Sequence, residues 1–333
     1  MNDSYEVFSD YSLCINIFRN NEPIYYFGAV LLEKKEFKHI CAFYSFLKEI
    51  NRLIRKKYIL LDLETLFFTI YNEDKNNTDY ENLSYLDNLD NLDNFFEILP
   101  AVLNTFREIK IRDCYIRELF TSIQMDLEKI RYNVKELDTY MVSSEELIGE
   151  IVFSIIYNNN KSFEMLDYIH SLCHAFQLTY FIKNIGKHFE MKHNRVYIPI
   201  EDQEEFNVSL ELDIPKILNN TITENQFSNV KKLVKFEIDQ ANKYYEFSQI
   251  GIDRLDRLDR LERLDRLDNK ESIFLTKELY SAIHKKIIEN DYDVFTKEYN
   301  LTFYEKIKIS FNILSWYNFF LLIFNYLRYS FYF

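Results

Sequence analysis

Apolar residues recur at the spacing of an α-helix in the long segments of this chain. In HICAFYSFLKEINRLI they fall on one helix face at Phe43, Phe46, Leu47, Ile50 and Ile54. In SIQMDLEKIRYNVKELDTYM they do so at Ile123, Leu127, Ile130, Val134 and Leu137. Only 4 Gly and 4 Pro occur among 333 residues, too few for the turns of a many-stranded sheet. The sequence therefore predicts an all-α fold.

No break in composition divides the chain, so we predict one helical domain over 10–320. Two low-complexity segments interrupt it, the Asn/Asp-rich stretch 72–94 and the repeat DRLDRLDRLERLDRLD at 253–268. A period of three residues spreads the leucines around a helix surface, so both stretches are expected to be insertions in loops. An alternative for 253–268 is a charged helix that docks a partner.

Charge and motif content exclude several classes of function. A net charge of −13 argues against general binding to nucleic acid, because phosphates would be repelled. Phosphate-cradling glycine loops are absent, which excludes P-loop and Rossmann proteins. The four cysteines lack zinc spacing and are expected to be buried thiols in a reducing compartment. The start, MNDSYEVFSD, resembles neither a signal peptide nor an Arg-rich transit peptide.

The apolar tail, 310–333, leaves three interpretations open. Residues 310–327 carry no charge, and their length is at the lower limit for a helix that crosses a bilayer. Four polar residues would be costly in lipid: Asn312, Ser315, Asn318 and Asn325. The stretch is thus a spanning helix, a final core helix, or a peripheral membrane contact.

Several segments, in the same order, resemble the squalene/phytoene synthase family. They are the opening EPIYYFGAVLLEKKEFKHICAFYSFLKEINRL, the central MDLEKIRYNVKELDTYM, the pair AFQLTYFIKN and RVYIP, and the closing ELYSAIHKKIIENDYDVFTKEYNLTFYEKIKI. The resemblance implies a single-domain isoprenoid-synthase-like helical bundle. It also implies that family positions are retained at Asp126, Tyr132, Gln177, Arg195, Tyr197 and Pro199.

The same resemblance implies that both acidic motifs of the family are lost. Family members join two prenyl diphosphates with Mg²⁺, which two acidic clusters hold through carboxylate oxygens. Here the clusters align with 51–55 and 184–188, where no carboxylate remains. The degenerate positions expected to line the cavity are Asn51, Arg52, Arg55, Asn184, Lys187 and His188.

We therefore expect a non-catalytic member that acts in binding or assembly and has no cofactor. The family includes such a member, a mitochondrial complex I assembly factor, which implies protein partners and an inner-membrane location in mitochondria. One alternative is a divergent prenyl transferase that keeps Mg²⁺ on other carboxylates, such as Glu49 or Asp126. A second alternative is a lipid or prenyl carrier. The cytoplasm and the endoplasmic reticulum membrane are the alternative locations.

A histidine pair provides one further metal hypothesis. His170 and His174 lie four residues apart and would share one face of a helix. No third ligand is evident, and such a pair is more often packed in the core or exposed on the surface.

Overall fold

The computed structural model describes residues 11–54, 60–72, 93–157, 165–191, 194–262 and 267–330, which form helices and turns without a β-strand. The all-α, single-domain prediction is confirmed. The helices are α1 (Ser12–Asn21), α2 (Pro23–Ala29), α3 (Lys34–Ile54), α4 (Leu60–Asn72), α5 (Asp93–Ile109), α6 (Asp113–Glu128), α7 (Val134–Met141), the π-helical segment Val142–Glu146, α8 (Leu147–Tyr157), α9 (Leu166–Lys183), α10 (Ile185–Met191), α11 (Ile200–Glu205), α12 (Leu210–Leu218), α13 (Glu224–Glu262), α14 (Leu267–Glu289), α15 (Phe303–Ile313) and α16 (Trp316–Ser330).

Phenylalanine side chains join the N-terminal helices. Phe46 of α3 packs against Phe67 of α4 and Phe106 of α5, with ring centroids 5.0 and 5.2 Å away. Each of these side chains is fully buried and contributes roughly 1.5–3 kcal/mol to folding. The predicted α3 face is buried at Phe43, Phe46, Leu47 and Ile50.

Two glycines allow helices to approach closely. A Cβ atom on Gly28 of α2 would lie 2.0 Å from Thr276 Oγ1 of α14. A Cβ atom on Gly251 of α13 would lie 2.4 Å from the Cβ of Tyr168 on α9. Larger residues at either position would push these helices apart, and all four helices contribute to the central cavity described below.

The apolar stripe predicted through Ile130 and Val134 does not form one helix. The backbone is extended at Asn133, whose side chain accepts a hydrogen bond from the Glu136 amide at 2.8 Å. The Glu136 carboxylate accepts one from the Asn133 amide at 3.1 Å, which completes a capping box and starts α7. Ile130 and Val134 are therefore exposed.

The structure describes the two low-complexity stretches to different extents. The stretch 72–94 lies outside the described residues except at its two ends. In 253–268, however, α13 continues to Glu262 and α14 starts at Leu267, whereas the sequence predicted a loop insertion. Arg254 lies over the ring of Tyr168, 5.1 Å from its centroid, so part of the repeat packs on the domain.

In the tail, α15 and α16 are separated by an extended Leu314. Within the described part of the chain, no helix combines the length and the hydropathy needed to cross a bilayer.

Candidate ligand-binding cavity

A cavity of about 520 Å³ lies at the centre of the helical domain. One wall is aromatic: Tyr25 of α2 stacks on Tyr44 of α3 and lies 5.2 Å from the ring centroid of Tyr280 on α14. Phe176 of α9 continues this wall, 4.7 Å from Tyr280. Aliphatic side chains from α8 and α9 cover other parts of the wall, among them Ile148, Val152, Ile169 and Leu172. The cavity is thus built to accept an apolar molecule.

The first degenerate motif, 51–55, lies at the cavity and supplies no carboxylate. Asn51 lines the cavity, and its amide nitrogen donates to the Leu47 carbonyl at 2.9 Å. Arg52 also lines it and binds the buried carboxylate of Glu49, with Nη2 and Nε at 2.7 and 2.8 Å from Oε2. Arg55 lies outside the described residues. The acid nearest this motif is therefore neutralised by a residue of the motif itself.

The second degenerate motif does not line this cavity. Asn184 ends α9, and its side chain donates to the Tyr180 carbonyl at 2.9 Å. Lys187 reaches Glu298 at 3.3 Å between two largely exposed side chains. Both residues line a separate pocket of about 260 Å³. His188 is buried against aromatic rings, 5.2 Å from that of Tyr197. Asn184, Lys187 and His188 were expected to line the same cavity as the first motif, and none of them is among the residues that line it.

Three retained positions form one largely buried cluster around Asp126. Tyr197 Oη donates to Asp126 Oδ1 at 2.5 Å, and Arg195 Nη1 donates to Oδ2 at 3.1 Å. Arg195 Nε also bonds the Lys129 carbonyl at 2.8 Å. Burial, with Asp126 alongside, raises the pKa of Tyr197 well above its usual value. The hydroxyl therefore keeps its proton and donates a hydrogen bond to the carboxylate.

Pro199 is the N-cap residue at the start of α11, and two further retained positions contact the cavity or this cluster. Tyr132 stacks on Tyr197 with ring centroids 5.6 Å apart and is fully buried. Gln177 lines the cavity on α9. Asp126 and Tyr197 line it as well, so the cluster forms part of its polar surface.

Two acids and one lysine of the cavity were missed in the sequence. Glu22 and Lys48 line the cavity and form an ion pair. Glu145, in the π-helical segment, lines it too, and burial followed by the charge of Glu22 raises its pKa to about 7. The available signals were weak, because Glu145 lies in the mixed stretch MVSSEELIGEIVF and Lys48 lies beside the apolar α3 stripe.

The donor atoms at the cavity do not fit the family's Mg²⁺ ions. Among the described residues, no three His, Cys, Asp or Glu side chains come together in a group that could hold a metal. Glu49 and Asp126, the carboxylates considered for an alternative site, are already bound to Arg52 and Arg195. Mg²⁺ requires several oxygen ligands in octahedral geometry, which paired carboxylates do not supply.

The histidine pair is engaged with carboxylates. His170 Nδ1 and His174 Nε2 lie 3.2 and 3.0 Å from the two oxygens of Glu146. His170 Nε2 also lies 3.1 Å from Glu150 Oε1. The helical spacing of the two histidines is thus explained by structural contacts with Glu146 and Glu150.

The sequence model of the squalene/phytoene synthases matches residues 19–305, most of this chain. The chain belongs to that family. A 15-cis-phytoene synthase of Synechocystis sp. is 26% identical over 211 residues, which are 59% of this chain and 56% of that relative. The chain thus spans little more than half the length of that relative. A phytoene synthase of Arthrospira platensis is 22% identical over 303 residues, 86% of each chain.

Solved structures of the family share the fold. A dehydrosqualene synthase in complex with a ligand superposes with a TM-score of 0.71 at 18% identity, covering 92% of this chain and 96% of its own. YisP from Bacillus subtilis superposes with a TM-score of 0.63 at 17% identity, covering 93% and 98%. The family resemblance seen in the sequence is thereby confirmed, whereas the likeness to the complex I assembly branch stays a prediction.

Proposed function

We propose that this family member binds an isoprenoid chain in its central cavity and does not carry out Mg²⁺-dependent ionisation there. The cavity volume of about 520 Å³ falls within the range of about 300–1,000 Å³ that is usual for small-molecule sites. Its aromatic and aliphatic walls suit a long apolar chain, since burial of such a chain removes apolar surface from water.

The balance of charge in the cavity carries the proposal. Three carboxylates at the cavity are paired with a cation, in the pairs Glu22–Lys48, Glu49–Arg52 and Asp126–Arg195. The paired carboxylates, together with Glu145, whose pKa burial raises to about 7, leave little negative charge to gather Mg²⁺. The paired cations equally leave little positive charge for a bare diphosphate, which carries several negative charges. A ligand with an uncharged head group, such as an isoprenoid alcohol, fits this balance best.

A cavity-filling variant tests the binding. Val152 of α8 lines the cavity, whereas Val142 of the adjoining π-helical segment is exposed and does not. Val152→Trp is expected to abolish the retention of farnesol in native mass spectrometry, and the matched Val142→Trp to leave it unchanged. Equal retention by both variants, each shown to be folded by circular dichroism, would refute binding in this cavity.

A divergent prenyl transferase is the second candidate. The relatives named above are phytoene synthases, so they support this alternative better than the assembly role. The retained cluster of Asp126, Arg195 and Tyr197 also favours it, because this cluster presents a carboxylate to the cavity. Formation of a coupled C30 or C40 product from farnesyl or geranylgeranyl diphosphate would establish this candidate. A mitochondrial location stays a prediction, as do the cytoplasmic and endoplasmic reticulum alternatives.

A further inference from the structure

The last helix, α16, buries two asparagines and exposes several large apolar side chains. Asn318, Leu322, Asn325 and Tyr329 are buried, and Asn325 Nδ2 donates to the Val30 carbonyl at 2.8 Å. The opposite face carries five large apolar side chains, each at least 47% exposed: Trp316, Tyr317, Phe320, Phe324 and Leu327. A surface helix in water usually exposes polar side chains, so the outer face of α16 is suited to an apolar surrounding.

The end of α15 extends this exposed face. Phe311 is half exposed and packs edge-on against Trp316, with ring centroids 5.2 Å apart. Trp316 in turn stacks on Phe320 at 6.0 Å. We call the exposed side chains Phe311, Trp316, Tyr317, Phe320, Phe324 and Leu327 the aromatic face. Rings that are already packed on one another present a continuous apolar surface and lose little conformational entropy when it is covered.

We propose that the aromatic face docks this protein in the interfacial layer of a neutral or zwitterionic lipid bilayer. Tryptophan and tyrosine are the residues enriched at the boundary between acyl chains and head groups. The sequence carries no charge from Ile309 to Leu327, and the whole chain carries a net charge of −13. An anionic bilayer would repel such a protein, whereas a zwitterionic one offers the aromatic face its apolar contact without that cost.

The docking mode is parallel to the bilayer plane. None of the described helices could cross a membrane, and α16 is held to the domain along its buried side. Tyr326 of α16 packs on Tyr26 and Phe27 of α2, at centroid distances of 6.1 and 5.5 Å. Tyr25 and Ala29 of the same helix line the central cavity. The docked face would thus lie one helix away from the cavity, although the inference does not depend on the proposed ligand.

Trp316 provides the test, because it is the single tryptophan of the chain. The full chain is mixed with phosphatidylcholine vesicles, and flotation and tryptophan emission are measured in 50 mM and 500 mM salt. We expect flotation with the vesicles, a blue shift of the emission, and the same result at both salt concentrations. Quenching by brominated acyl chains is expected to place Trp316 near the interface.

Two double variants that keep Trp316 test whether vesicle binding depends on the aromatic face. Phe320→Ser/Phe324→Ser is expected to lower the vesicle partition coefficient by at least about tenfold, because binding scales with the apolar area inserted. Leu212→Ser/Ile250→Ser removes exposed apolar residues elsewhere and is expected to change it less than about twofold.

Three results would overturn the inference. One is binding only to anionic vesicles, lost at high salt. Another is an absence of vesicle binding by folded protein. The third is a blue shift without lipid that grows with protein concentration alongside dimer formation in sedimentation, since the face would then join two copies of the chain.

Discussion

Arg52 binds Glu49 at the cavity, with Nη2 2.7 Å and Nε 2.8 Å from the same carboxylate oxygen. Arg52 occupies a position where the family resemblance places an acid, and it neutralises the buried acid one helical turn before it. This pair therefore balances the charge in this part of the cavity, and the proposal that the cavity binds an isoprenoid chain without Mg²⁺ depends on that balance.

Removal of one partner of this pair should destabilise the protein more than removal of both. Glu49 is almost fully buried, so Arg52→Gln leaves a carboxylate without its cation. Because Arg52 is partly exposed, we expect a loss of about 1–3 kcal/mol in the free energy of unfolding. The double variant Glu49→Gln/Arg52→Gln is expected to recover most of the lost free energy of unfolding. Urea denaturation at pH 7 measures all three proteins. Equal losses in the single and double variants would show that the pair contributes no coupling.

Glu145 should make stability depend on pH. Its pKa is about 7 in the folded protein and near the ordinary 4.5 when unfolded, so the folded state holds the proton more tightly. Above pH 4.5 the unfolded state releases that proton first, and stability falls as the pH rises towards 7. The fall approaches about 3 kcal/mol for this one group.

Replacement of this acid by its neutral isostere should remove that fall. We expect Glu145→Gln to be more stable than the wild type at pH 7.5 and equal to it near pH 4.5, in melting temperatures measured across this range. Glu204→Gln, on an exposed position of α11, serves as the control and should follow the wild-type profile. If Glu145→Gln also follows it, then Glu145 ionises normally in the folded state.

Two stacked tyrosines should respond differently to loss of the hydroxyl group. Tyr197 Oη donates to the Asp126 carboxylate, so Tyr197→Phe should cost about 1.5–3 kcal/mol. The buried hydroxyl of Tyr132 has no hydrogen-bond partner in the part of the chain that the structure describes, so Tyr132→Phe should be neutral or stabilising. Thermal unfolding of the two variants compares them directly, and an equal cost in both would contradict the hydrogen-bond assignment.

The sequence predicted the helical class and part of the site because these depend on local patterns. The α3 stripe and the succession of family motifs were sufficient for the fold. The retained residues Asp126, Arg195 and Tyr197 do come together, although they lie on segments far apart in the chain.

The other features of the fold and the site were not predicted because they depend on tertiary packing. The break between α6 and α7 was not predicted, because Ile130 and Val134 fit the apolar spacing of one continuous helix. The Asn133 capping box nevertheless starts a new helix at this point. Lys48 and Glu145 lie in ordinary mixed stretches of the sequence, and only the packing of α2, α3 and the π-helical segment brings them to one cavity. Asn184 and Lys187 were misplaced because α9 ends at this point and directs the motif into a different pocket.

The central claim is that this cavity holds an isoprenoid chain without the help of magnesium. The most direct measurement is titration calorimetry of the purified protein with farnesol and with farnesyl diphosphate, each in EDTA and in millimolar Mg²⁺, together with an assay of released diphosphate. We expect farnesol to bind equally under both conditions, with diphosphate release no greater than in a heat-killed control. Magnesium-dependent release of diphosphate with formation of a coupled product would contradict the account.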